Sequence, residues 1–199
     1  MQNEGETENF FEEMCMRKLN AIISMTVLAL LLLLAVAGGF QLMGIIPGGS
    51  SLLSVMAWIM TGLIVLHIVI GIKLTIDTLI ATRRAGVSYP GENRIFWARR
   101  ISGFAVMLFV FCHIFIFLQP GSGVYRLAVF DGIRLAGQIL MVLSIAVHVL
   151  TNIKPLLISF GIKGFRIYVK DILFILAIVM LFSGIAMVVY YLRWNVVWR

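Results

Sequence analysis

Charge is what this sequence has least of. Only 13% of its 199 residues are charged, about half the share of an ordinary soluble domain. Not one charged side chain lies between Lys18 and Lys73. A water-soluble core has no use for such a stretch, and with 61% hydrophobic residues and a mean hydropathy of +1.05 the chain reads as a single-domain integral membrane protein. Cysteine is also scarce. Cys15 precedes the first apolar run and Cys112 lies deep in the third, so no disulfide framework is available. There is no cysteine cluster for iron–sulfur ligation and no dinucleotide-binding fingerprint, which excludes flavin- or iron–sulfur-based dehydrogenase chemistry within the chain itself.

The net charge of +7 does not signal nucleic acid. The basic residues gather at the ends of apolar runs rather than along one face, as expected for membrane topology. Measured against the ~20 residues a crossing needs, the runs predict five transmembrane helices, at 19–46, 51–81, 96–118, 127–153 and 169–192. A sheet is excluded because the runs are continuous, without period-2 alternation. Pro47, Pro90, Pro120 and Pro155 are expected at or beyond helix ends. Residues 1–18, with Glu4, Glu6, Glu8, Glu12 and Glu13, form an acidic N-terminal arm, and 19–199 the helical domain. Arg17-Lys18, an apolar run and Ala35-Val36-Ala37 resemble a cleavable signal. The run continues to Ile46, however, so an uncleaved first helix is expected.

Lys and Arg are distributed unequally between the two sides. Arg17, Lys18, Arg83, Arg84, Arg94, Arg99, Arg100, Lys154, Lys163, Arg166 and Lys170 fall on the side of the N-terminus; Arg126, Arg134, Arg193 and Arg199 fall opposite. The positive-inside rule then puts the N-terminus in the cytoplasm and the C-terminus outside a cell inner (cytoplasmic) membrane. Trp97 and Tyr168 inside, with Trp58, Tyr125, Tyr190, Tyr191 and Trp194 outside, mark the two interfaces.

All three histidines, His67, His113 and His148, fall inside apolar runs, where ionisable groups are costly and mark function. His67 lies just past the middle of the second helix. His148 is about 9 Å of helical rise before Lys154, at a comparable depth, whereas His113 is roughly 20 Å beyond Arg100, in the outer half. Two neutral imidazoles facing each other across a bundle can supply both axial ligands of a haem iron. Neither cysteine belongs to a C-x-x-C-H sequence, so such a haem would be held by ligation and packing. Gly71 and Gly137 share the faces of His67 and His148 and suit either a flat macrocycle or close helix packing. His113 lacks a level partner, because the first helix offers only Leu30 to Leu34 at its depth, with Gln41 and Met43 further out. It is either a hydrogen-bonded histidine or a ligand of a second site.

"RRISGFAVMLFVFCH", "IAVHVLTNIKPLLISFG" and "LIVLHIVIGI" resemble segments of the cytochrome b membrane anchors of succinate dehydrogenases and fumarate reductases. The resemblance covers most of residues 19–165 in layout. It implies a five-helix haem-binding bundle in which His67 and His148 bind the haem nearest the cytoplasmic partners, and His113 would serve a far haem. The first-helix histidine of two-haem members is missing, which favours one haem b over two. Arg100 and Ser102 match family positions that bind quinone or haem propionates, although Arg99 and Arg100 also suit simple interfacial anchoring. The implied function is non-catalytic electron transfer between flavoprotein and iron–sulfur subunits on the cytoplasmic side and membrane quinone.

Two other readings stay open. One is a cytochrome b subunit of a formate dehydrogenase, hydrogenase or nitrate-reductase-like complex. The other is a haem-free transporter or scaffold, for which the only further buried ionisable pair is Lys73 with Asp77.

Overall fold

Uninterrupted apolar runs in lipid satisfy their backbone groups most simply as helices, and the described residues form five such helices. The computed structural model describes residues 2–86, 94–117, 130–162, 165–193 and 195. The helices are α1 (Gln2–Met43), α2 (Ser51–Arg84), α3 (Arg94–Phe117), α4 (Gly132–Ser159) and α5 (Phe165–Leu192). Each contains a stretch long and apolar enough to cross a membrane. Pro90, Pro120, Tyr125, Arg126, Trp194, Arg199, the side chains of Lys163 and Arg166 and the ends read at 118 and 127 lie outside the described residues.

Local chemistry sets the helix ends. Gly44 (φ 74°) closes α1 in the left-handed region, where Ile45 N–H reaches back to the Phe40 carbonyl at 3.0 Å. Ser50 caps α2 by accepting from Leu53 N–H. Asp131 caps α4, its carboxylate accepting from Arg134 N–H at 2.7 Å. That cap starts the fourth helix at Gly132, and the helix runs on past the expected end at 153 to Ser159.

The longer α4 also takes Pro155 inside the helix rather than beyond its end. A proline has no N–H for the carbonyl four residues back, here that of Thr151. The Arg99 Nε–H fills the vacant position from α3, donating to Thr151 O at 2.8 Å. Helix α1 extends N-terminally to Gln2, so the backbone of the acidic segment 2–18 is continuous with the first apolar span.

Helices α1, α4 and α5 form the densely packed part. Leu42, Met141, Ile145, Leu176, Met180, Ala186, Met187 and Tyr190 make its core, together with Phe130 just before α4. Gly39 brings α1 onto α5 so closely that a methyl group there would run into the Phe182 ring. Arg193 donates from the end of α5 to the Met43 carbonyl at 2.7 Å, tying off the end of α1.

Helix α2 is different. It packs principally on α1, and Ile70 is its one fully buried side chain. Leu52, Ile101, Phe104, Phe174 and Leu181 are each about two-thirds exposed. Such a surface is stable against lipid and not against water.

Candidate functional site

Because α2 stands off from α3 and α4, a half-open cleft of about 920 Å³ lies among α1, α2, α3 and α4. Ligand-binding cavities commonly occupy roughly 300–1,000 Å³. The space runs from Arg17 and Asn20 at the basic end of the bundle to Gly49 and Ser50 at the other. Polar groups crowd the basic end, with Arg17, Asn20, Thr78, Arg99, Arg100 and Asn152 on the wall; the middle is mostly aliphatic.

His67 from α2 and His148 from α4 meet in this cavity. Their ring centres are 6.4 Å apart and their planes 77° from parallel. Neighbouring helices hold both rings at Nδ1. His67 Nδ1 is 2.9 Å from Asn20 Oδ1 and 3.2 Å from Ser24 Oγ, both on α1. His148 Nδ1 is 3.3 Å from Ser102 Oγ on α3. Each histidine-bearing helix is therefore braced by its own neighbour, α2 by α1 and α4 by α3. Gly103 makes room for the second brace, since a Cβ there would sit 3.1 Å from His148 Cε1.

His113 lines the same cavity but engages a different partner. Its Nδ1 is 2.6 Å from Oε1 of Gln138, which is fully buried. Gln138 precedes His148 on α4 by about 15 Å of helical rise, so His113 does not join the facing pair. The Gln138 Nε2 is buried with no partner among the described residues.

The remaining expected positions divide. Gly71 lines the cavity, and a methyl there would meet only open space. Gly137 also has open space beside it but lies outside the cavity wall. Ser102 is buried and directed at His148 rather than standing apart from it. Arg100 lies on the wall with its guanidinium carbon 4.7 Å from the centre of the Phe96 ring. Its Nε is buried and unpartnered among the described residues.

Asn20, Ser24, Gly103 and Gln138 escaped the sequence reading. A signal for the first two was present: Asn20 and Ser24 are spaced i,i+4 on one helical face, just inside an otherwise apolar run. Among the described residues no group of three or more His, Cys, Asp or Glu could hold a bare metal ion. No protein-family model, no curated protein and no solved structure matches this chain.

Proposed function

We propose that the protein is a haem b-binding electron-transfer subunit of a respiratory membrane complex, in which His67 and His148 would hold the haem iron. The observation that carries this reading is the 6.4 Å between the ring centres. A bond from metal to histidine nitrogen is about 2 Å, and the nitrogen lies roughly 1 Å from its ring centre. Two imidazoles on opposite sides of one metal thus stand about 6 Å apart. Two imidazoles alone leave an octahedral ion four donors short, a deficit that a porphyrin in the adjoining cavity makes up.

The wall suits that group. Aliphatic side chains surround the middle, Gly71 leaves clearance beside His67, and the unpartnered Arg100 Nε at the basic end fits an anionic substituent such as a propionate. Bound there, haem supplies one-electron transfer. The two histidines fix its position across α2 and α4, and the apolar walls exclude water. By the positive-inside rule the basic end faces the cytoplasm. A flavin and iron–sulfur dehydrogenase of the succinate dehydrogenase or fumarate reductase type is the proposed partner on that side, with membrane quinone as the exchanging substrate.

The test is a reduced-minus-oxidised absorption spectrum of the purified full chain, with haem quantified per chain. One b-type haem is expected, lost in His67→Ala and in His148→Ala and kept in His113→Ala. Loss in His113→Ala alone would overturn the pairing.

A further inference from the structure

The hydrogen bonds behind the two histidines carry more than their position. A serine hydroxyl has a single proton to give. Ser24 Oγ donates its proton to the Asn20 carbonyl at 2.7 Å, and Ser102 Oγ donates to the Arg99 carbonyl at 3.2 Å. Each serine has thereby used its donor on its own helix, a back-bonding pattern common for Ser and Thr in helices. Towards the imidazole it can only accept. Asn20 likewise presents its carbonyl oxygen, which has no proton to offer. Facing only acceptors, Nδ1 of His67 and of His148 must carry the ring proton. In the neutral ring the lone pair is then left on Nε2.

We infer that Asn20, Ser24 and Ser102 are positioning residues that hold His67 and His148 in the Nδ1–H tautomer and set the potential of the metal centre between them. The inference rests on the haem reading for its redox half, while its tautomer half concerns the protein alone. An acceptor at Nδ1–H raises the basicity of the ligating nitrogen. Greater basicity favours ferric over ferrous iron and lowers the potential. Both histidines are served twice: His67 by an amide oxygen and a hydroxyl within 3.2 Å, and His148 by the Ser102 hydroxyl at 3.3 Å together with the Arg99 backbone.

The experiment uses the full chain in nanodiscs and has two readouts. In ¹⁵N-histidine-labelled apoprotein, nitrogen shifts should report the Nδ1–H tautomer at both positions. That preference should weaken at His148 in Ser102→Ala, where the Arg99 backbone remains as a partner, and be lost at His67 in Asn20→Leu/Ser24→Ala. In haem-loaded protein, redox titration of the haem each variant retains should find the potential raised. The expected rise is about a tenfold change in the oxidised-to-reduced ratio, or about 59 mV for one electron. Ser102→Thr should restore the wild-type value.

Unmoved tautomers and potentials in variants that still hold haem would overturn the inference. If the wild type takes up no haem, the haem reading fails, and the apoprotein shifts alone decide on the acceptors. Should the double variant not fold, Ser24→Ala and Ser102→Ala each carry the test singly.

Discussion

The two sides of this bundle are built from similar residues to opposite ends. Where α1, α4 and α5 meet, side chains fill the space, and Gly39 is there so that Phe182 can close against it. Where α2 faces α3 and α4, residues just as apolar leave about 920 Å³ open. Protein interiors are normally packed like organic crystals, and a half-open hollow of that size beside a packed core leaves room for a bound group. Its polar groups are correspondingly organised: two imidazoles face inward, each braced from behind by a neighbouring helix.

The contrast breaks most completely at Gly103. A leucine in that position occupies the place of the His148 ring, whose Cε1 would already be 3.1 Å from a Cβ. Gly103→Leu should lower haem per chain by more than tenfold while leaving the α1–α5 contact intact, as measured by haem quantification on folded protein. On the solid side, Gly39→Leu should cost about 1–3 kcal/mol through overpacking against Phe182. Thermal unfolding should fall accordingly, with haem retained until the transition.

A smaller effect is expected at the joint between α3 and α4. Arg99→Leu removes the donor to the Thr151 carbonyl that Pro155 leaves open, at about 1–2 kcal/mol. In a Pro155→Ala background the helix regains its own donor for that carbonyl. The cost of Arg99→Leu should then shrink, and a double-mutant cycle on unfolding free energies measures the coupling. The smallest effect should come from Gly71→Ala. With open space beside it, the change should move apoprotein stability by no more than about 0.5 kcal/mol towards greater stability or less, whereas the same change at Gly39 should destabilise measurably.

Hydropathy made the five spans legible because lipid burial is a property of composition and length, both of which are linear in sequence. Starts and stops were less so. The Asp131 cap and the incorporation of Pro155 into α4 depend on one carboxylate and on a guanidinium borrowed from another helix. The histidine pair could be anticipated from depth, since rise per residue converts sequence distance into height. Rotation about each helix axis could not. Helices that are apolar on all sides carry no amphipathic stripe to show which face turns inward. For that reason spacing along the helices points to Gly71 and Gly137, and not to Gly103, the glycine against which the His148 ring lies. Gln138 was hidden in the same way: its partner His113 lies on another helix, far away in sequence.

The proposed haem would place one iron between His67 and His148, whose ring planes are 77° from parallel. Electron paramagnetic resonance of the oxidised protein tests it directly. Near-perpendicular axial imidazoles should give a strongly anisotropic low-spin ferric signal dominated by a single large g value, and that signal should vanish in both His67→Ala and His148→Ala. A high-spin ferric spectrum in the wild type, or a low-spin signal that survives either substitution, would contradict the account.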